Sequence, residues 1–282
     1  MPQASSDTLP ALTAAGAGKP DTVSALERGI AILRCFTEQS PVLGHAELER
    51  LTGIPRPTVV RLAATLLGQG LLRHSPGGDR FMLGAGVISM ARVFLAGLDV
   101  RALARPVMQS MADEFGGSLY LAIRDGLEMV LIEACRARSS LLAPRLDVGS
   151  RAPLATSALG RACLLATPPE VRTQLLDSLA LLRGTDWERQ AAGLAPALEK
   201  GRRDGYCLSI GEFHRGINSL AVPIVDANRE VMALNFGGPA FDFPVNRLTD
   251  EVAPRMLALA RGITCDIGGH APLPAGQGVA QS

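Results

Sequence analysis

The sequence lacks the cysteine patterns of metal centres, redox motifs and secreted disulfide frameworks. Its five cysteines stand far apart and form no Cys-x-x-Cys pair. It also lacks an excess of one charge, since 28 lysines and arginines oppose 27 acids in 282 residues. A chain-wide basic surface for nucleic acid is therefore excluded, and any such surface must be local. We predict no metal and no other cofactor, and we expect most cysteines to be small buried hydrophobic residues.

Long hydrophobic runs and targeting segments are missing as well. No segment approaches the roughly 20 uncharged apolar residues of a membrane helix. The first residues show no basic stretch before an apolar core, so they do not form a signal peptide. Small, polar and proline residues predict a flexible arm over 1–22 and a flexible tail over 269–282. With 47% hydrophobic residues, we expect a cytoplasmic protein of two globular domains with no membrane partner.

Three amphipathic helices are predicted between Ser24 and Gly70. Ser24 and Glu27 have the spacing of a capping box, which predicts the start of the first helix. Gly53 suits the left-handed conformation that ends a short second helix, and Pro57 suits the first position of a third. A short helix, a glycine turn and a helix with a polar outer face form a helix-turn-helix, whose second helix enters the major groove of DNA.

The segment after the third helix predicts a wing. Two short β-rich runs, LLR and RFML, flank a Pro-Gly-Gly-Asp turn. Residues 56–92 hold five arginines and one acid, a balance of +4, which suits contact with phosphate. A helical subdomain with a solvated charged face and no ligand is the alternative. The residues predicted to contact DNA are Arg56, Thr58, Arg61 and Thr65 on the third helix, and Arg73 and Arg80 in the wing.

The remaining residues predict a second domain of the α+β class. A winged helix-turn-helix over 23–84 is joined by a linker helix over 85–97 to this domain over 98–268. Residues 118–136 predict a hairpin around Asp125 and Gly126, with Leu119, Leu121 and Ile123 facing inward. The later runs YCLSIG, SLAVPIVD and EVMALNFGG predict further strands. Such a domain has the size of a small-molecule sensor.

From about residue 23 to residue 268 the chain resembles the IclR family of bacterial transcription regulators. The resemblance is carried by GIPRPTVVRLAATLLGQG, RFMLG, VGSRAPLATSALGRACLLA, GRRDGY, NSLAVPIVD and ALNFGGP. It implies a winged helix that dimerises, a linker helix and a GAF-like domain that binds a small-molecule effector. The partners it implies are double-stranded operator DNA of near-palindromic sequence and further copies of the chain, as a dimer or a dimer of dimers.

The motif LATSALGRA predicts a small anion site in the second domain. Thr156 and Ser157 precede a helix, whose exposed first N–H groups and dipole favour negative charge. The resemblance implies that a ligand carboxylate binds there to the amides of Ala158, Leu159 and Gly160. The alternative is that Ser157 only caps a structural helix, since most N-cap residues bind no ligand.

The resemblance also implies a polar pocket floor, formed by Ser209, Ser219, Asn235 and Gly237. Many relatives carry aspartate at the first of these positions, cysteine at the second and serines at the last two. This floor is therefore less acidic and roomier than in sensors of glyoxylate or pyruvate. As effector we predict an organic acid, hydroxylated or aromatic, whose body lies against Leu142 and Leu154.

Several charged and nucleophilic residues leave alternatives open. In one loop, Glu212, His214 and Arg215 either meet an anionic ligand or are solvated, and Arg145 has the same two interpretations. We do not predict an enzyme, because Cys163 lies in an apolar helical run and no nucleophile elbow is present. The alternative function is a thiol-redox regulator with the same DNA-binding domain. It would use Cys135, which stands beside Arg136 and Arg138.

Overall fold

The computed structural model describes residues 22–138 and 146–269. Most of the predicted arm and tail, together with Leu142 and Arg145, lie outside the described residues. The described residues form two compact units, which divide between Gly97 and Leu98. Among the described residues, no helix is long and apolar enough to cross a membrane.

The first unit is a three-helix cluster followed by a small hairpin. Its elements are α1 (Ser24–Arg34), α2 (His45–Thr52), α3 (Arg56–Gly68), β1 (Leu72–His74), β2 (Phe81–Leu83) and α4 (Gly86–Ala96). The antiparallel pair of β1 and β2 forms the predicted wing. Ile32, Leu48, Val59, Ala63 and Phe81 are buried together, so one core joins the three helices to the wing.

Two local predictions about helix starts are wrong. Ser24 is already helical and makes no capping bond, because the N-cap position falls on Val23. The bond from a glutamate side chain to the N-cap amide, predicted for α1, is made at α2 instead. There the Glu47 carboxylate accepts from the Gly44 N–H at 2.8 Å. Helix α3 begins one residue early, at Arg56, so Pro57 takes the second helical position. Proline suits the first and the second helical position alike, because neither residue donates an N–H to a hydrogen bond within the helix.

The second unit is built on an antiparallel sheet. Its elements are α5 (Asp99–Phe115), β3 (Ser118–Asp125), β4 (Glu128–Arg136), β5 (Arg151–Pro153), α6 (Ala158–Ala166), α7 (Pro169–Arg183), α8 (Thr185–Asp204), β6 (Cys207–Ile210), β7 (Ile217–Val225), β8 (Val231–Pro239), α9 (Val245–Arg247), a π-helical turn (Leu248–Val252) and α10 (Ala253–Asp266). The strand order is β5-β4-β3-β8-β7-β6. Helices and a sheet in these two units confirm the predicted α+β fold.

Both faces of this sheet are covered, which changes one prediction. Leu119 and Leu121 are buried as expected, but Tyr120 and Ala122, which alternate with them, are buried too. Tyr120 and Ala122 belong to the core formed with α6, α7 and α8. Leu119 pairs with Phe236, whose ring lies 6.0 Å from the ring of Phe115 at the end of α5. A single inward face was therefore the wrong expectation.

Candidate functional site

Helix α3 presents a polar face opposite its buried residues. Val59, Ala63 and Leu66 are buried, whereas Arg56, Arg61 and Thr65 are exposed and Thr58 is half-buried. The turn from α2 into α3 is tight because Gly53 is left-handed, with φ of +68°. The Arg56 N–H donates to the Glu49 carboxylate at 3.1 Å, which satisfies one amide of the α3 N-terminus.

The arginines of this unit fall into two groups. Within residues 22–138 and 146–269, the guanidinium groups of Arg56, Arg61 and Arg73 form no ion pair or hydrogen bond with the protein, so they are available to an anionic partner. Arg80 differs, because its Nη2 lies 2.6 Å from Glu47 Oε2 and 3.0 Å from the Val42 carbonyl. Arg80 therefore ties the wing to the start of α2, a role that the sequence analysis missed.

The second unit contains a cavity at the N-terminus of α6. It measures about 30 Å³, which is room for about two water molecules. Its walls are formed by the N-terminal end of α6, one face of the sheet and the loop over residues 211–216. The lining residues are Tyr120, Leu146, Ala152, Ser157, Ala158, Leu159, Phe213, His214, Ile217, Ser219, Asn235 and Gly237. None of them is an aspartate or a glutamate.

The predicted anion site offers two free backbone amides instead of three. Ser157 caps α6, since its Oγ accepts from the Gly160 N–H at 2.9 Å. That amide is therefore used within the protein, and Gly160 does not line the cavity. A Cβ at Gly160 would lie 2.2 Å from the Leu154 Cα, so its role is close packing. In the described part of the chain, the amides of Ala158 and Leu159 have no acceptor.

The polar floor is formed by three of the four predicted residues. Ser219, Asn235 and Gly237 line the cavity, and Ser219 pairs with Gly237 across β7 and β8. Ser209 is not among the lining residues, and its Oγ donates to the Thr156 carbonyl at 2.7 Å. Leu154 is also buried outside the lining, where it packs against Gly160.

Aromatic residues that the sequence analysis did not assign complete the cavity. Tyr120 is 4% exposed, and its hydroxyl has no hydrogen-bond partner among the described residues. Phe213 and His214 form part of the opposite wall, with ring centroids 4.1 Å apart. Partial burial lowers the pKa of His214 below its usual value. Strand alternation alone gave no signal for Tyr120, because it places this side chain on the face of the sheet opposite to that of Leu119, which was expected to face solvent.

The loop over residues 211–216 is anchored rather than freely solvated. Glu212 accepts two bonds from the buried Arg161 guanidinium, at 2.7 and 2.5 Å. Arg161 also donates to the carbonyls of Ala155 and Leu208. Arg215, in the same loop, is exposed. The two alternatives for Glu212 were contact with an anionic ligand and simple solvation. Its ion pair with Arg161 gives it a structural role instead.

The two candidate thiols, Cys163 and Cys135, lack the features of a nucleophile or a redox sensor. Cys163 is fully buried, and burial raises its pKa. Cys135 is also buried, and burial, with the nearby Glu133 carboxylate, raises its pKa to about 11. Neither thiol is therefore a ready thiolate at neutral pH. Within the described residues, no group of three or more His, Cys, Asp and Glu side chains is arranged to hold a metal ion.

Comparisons with known proteins agree on one family. The model of the IclR helix-turn-helix domain matches residues 25–76, and that of the bacterial transcriptional regulator IclR C-terminal domain matches residues 93–265. The transcriptional regulator TsaQ1/TsaQ2 of Comamonas testosteroni is 29% identical, over 89% of this chain and 90% of its own length.

Two solved structures have the same fold. An IclR family transcriptional regulator from Brucella abortus is 37% identical, with a TM-score of 0.80 over 88% of this chain and 94% of its own. An IclR homologue from Microbacterium hydrocarbonoxydans, solved with 4-hydroxybenzoate, is 22% identical, with a TM-score of 0.69 over 86% of this chain and 99% of its own. The chain belongs to the IclR family of bacterial transcriptional regulators.

Proposed function

We propose that this chain is an effector-responsive transcriptional regulator that binds a near-palindromic operator as a dimer or a dimer of dimers. A small organic acid of aromatic character modulates that binding. The observation that carries the proposal is a pair of exposed arginines, Arg56 and Arg61, on the second helix of a helix-turn-helix, whose guanidinium groups have no partner among the described residues. They leave positive charge and hydrogen-bond donors free for phosphates and base edges. This function belongs in the cytoplasm, beside the chromosome.

In this proposal α3 enters the major groove. Arg56 stands at the N-terminal end of the helix, where its charge adds to the helix dipole in attracting phosphate or a guanine edge. Thr58, Arg61 and Thr65 follow on the same face, and Arg73 contacts the DNA backbone from the wing. Arg80 serves mainly to position the wing, since Glu47 and the Val42 carbonyl occupy its guanidinium.

Exposed apolar residues on α4 support dimer formation. Ile88, Met90, Val93 and Phe94 are between 51% and 75% exposed, and α4 has no buried residue. Large apolar side chains exposed together on one helix mark a protein contact. A second copy of the chain is the partner we propose, because two-fold symmetric subunits match two equivalent half-sites of DNA.

The cavity supports an acidic effector. The amides of Ala158 and Leu159 are free to bind a carboxylate, and the lining contains no acid that would repel it. The 4-hydroxybenzoate in the Microbacterium hydrocarbonoxydans relative has this chemistry. Because the cavity is small, binding requires outward movement of Phe213 and His214. That movement is a route by which the effector distinguishes two states of the protein.

Selection of DNA from a random duplex pool by the full chain tests the proposal. We expect enrichment of a near-palindrome with half-sites about one helical turn apart. On that operator, Arg61→Ala costs about 1–3 kcal/mol of binding free energy if Arg61 reads a base. Arg189→Ala, at an exposed arginine of α8, is the matched control and leaves the affinity unchanged. Equal operator affinity for the wild type and an Arg56→Ala/Arg61→Ala double variant contradicts the proposal.

A further inference from the structure

A second cleft lies at the edge of the sheet in the second unit, between strand β6 and helix α8. Strand β6 is the last in the sheet order, so among the described residues one of its edges has no neighbouring strand. The cleft measures about 220 Å³, against about 30 Å³ for the cavity at α6. None of the DNA or effector contacts proposed above involves it. Its lining is formed by Arg161, Gly193, Ala197, Lys200, Tyr206, Leu208, Ile210 and Glu212.

The buried Arg161 guanidinium keeps one N–H without an acceptor on the side of this cleft. A guanidinium carries five N–H donors. Four are used, by the carbonyls of Ala155 and Leu208 and by both oxygens of Glu212. The second N–H on Nη2 has no acceptor in the described part of the chain. A Cβ at Gly193 would lie 4.0 Å from this Nη2, so the atom borders the cleft where α8 lacks a side chain. Since Arg161 is 3% exposed, its unused donor calls for an explanation.

Two further donors line the same cleft. Within residues 22–138 and 146–269, the Lys200 ammonium forms no ion pair or hydrogen bond, and the Tyr206 hydroxyl forms no hydrogen bond. Burial, followed by Asp204 and Asp250, raises the pKa of Tyr206, so its hydroxyl keeps its proton at neutral pH and can donate. Neither of these two acids lines the cleft. The lining therefore offers three free donors, and two of them are cationic.

We infer that this cleft binds a small aliphatic carboxylate, at a second ligand site separate from the effector cavity. Arg161 and Lys200 are positive and Glu212 is negative, so the lining carries a net charge of +1, which a monoanion neutralises. The two oxygens of a carboxylate only accept, which suits three donors. A phosphate dianion would leave an excess of negative charge beside Glu212. Apolar surface for a short hydrocarbon chain is provided by Ala197, Leu208 and Ile210.

Acetylation of lysine in the native full chain tests this inference. The chain has two lysines, Lys19 and Lys200, so mass spectrometry follows both in one sample. The probe is isovalerate. Its controls are 3-methylbutanol, which has the same hydrocarbon body without the charge, and chloride at equal ionic strength. We expect saturating isovalerate to slow the acetylation of Lys200 at least about fivefold and to leave that of Lys19 unchanged. Neither control should protect Lys200.

Calorimetric titration with isovalerate assigns the binding to the cleft. Lys200→Gln weakens it at least about tenfold, because one charged donor is lost, and Tyr206→Phe weakens it about fivefold. Arg203→Gln, at an exposed arginine of α8 outside the cleft lining, is the matched control and stays within about twofold. Unchanged affinity in Lys200→Gln overturns the inference.

The wild-type acetylation experiment decides the matter even if a variant does not fold. Protection of Lys200 by inorganic phosphate but not by isovalerate overturns the inference, and so does protection by neither anion. Operator binding and the effector cavity take no part in these measurements, so the proposed function stands in either case.

Discussion

Arg161 and Glu212 form a two-pronged ion pair that joins helix α6 to the loop over residues 211–216. The Arg161 side chain is 4% exposed and that of Glu212 is 40% exposed. Phe213 and His214, which follow Glu212 directly, form one wall of the cavity. The first turn of α6 forms another wall. The pair therefore fixes the two walls that an effector has to separate.

Removing the carboxylate of Glu212 should weaken the second unit. Glu212→Gln leaves the buried Arg161 charge without a counter-ion, at a cost of about 1–2 kcal/mol because Glu212 is partly solvated. Urea unfolding measures this change. Glu199→Gln is the matched control, since its pair with Arg202 is exposed on both sides, and it should cost less than about 0.5 kcal/mol. Equal effects of the two substitutions would show that the buried pair adds nothing.

Gly160 is required for packing under the N-terminus of α6. In Gly160→Ala the new Cβ would lie 2.2 Å from the Leu154 Cα and 2.4 Å from its carbonyl oxygen. Backbone atoms cannot move aside cheaply, so we expect a loss of about 3 kcal/mol or more in unfolding free energy.

A second glycine substitution provides the contrast to Gly160→Ala. A Cβ added at Gly262, in α10, would point into open space, with no neighbouring atom within 4 Å. Gly262→Ala should therefore stabilise the protein by about 0.5–1 kcal/mol through helix propensity. A Gly160→Ala protein as stable as the wild type would refute the packing assignment.

Thiol chemistry should not control DNA binding. Burial raises the pKa of Cys207 to about 12, and burial with Glu133 raises that of Cys135 to about 11. Cys265 is exposed, so iodoacetamide at pH 8 should modify it first, as mass spectrometry of the native protein would detect. Peroxide should leave operator affinity unchanged. Oxidation of Cys135 with reversible loss of DNA binding would instead support the redox alternative.

Acid should weaken the attachment of the wing. The Gly44 N–H, followed by the Arg80 guanidinium, lowers the pKa of Glu47 below its usual value. A carboxyl with a lowered folded pKa contributes stability above its unfolded pKa and loses it as pH falls. Unfolding temperature should thus drop below about pH 5, and Glu47→Gln should flatten part of that drop. Glu38→Gln, at an exposed position, is the control and should leave the profile unchanged.

The winged helix could be predicted from sequence because its signals are local. Gly53 needs a left-handed turn, the prolines mark the start of α3, and the run over 81–83 alternates as a strand. The residues involved are neighbours in the chain, so their spacing carries the information. The capping-box prediction at Ser24 was wrong because helix α1 starts one residue earlier than predicted, so Ser24 lies inside the helix. Local signals do not fix a helix end to the residue.

The cavity could be predicted only in part. The N-terminus of α6 and the residues Ser219 and Asn235 follow from motifs, but Tyr120 depends on the sheet having helices on both faces. The partner of Glu212 is Arg161, 51 residues away in sequence. Ser209 is not among the lining residues, and its hydroxyl donates to the Thr156 carbonyl; its contact with the effector stays a prediction. Such pairings are set by tertiary packing, which periodicity does not encode.

Linkage between effector and operator tests the account most directly. Fluorescence anisotropy would give the affinity of the full chain for its selected operator with and without saturating 4-hydroxybenzoate, and calorimetry the affinity for 4-hydroxybenzoate with and without operator. We predict that each ligand changes the affinity for the other by the same factor, at least about fivefold. Binding of 4-hydroxybenzoate in the cavity with no change in operator affinity would contradict the account.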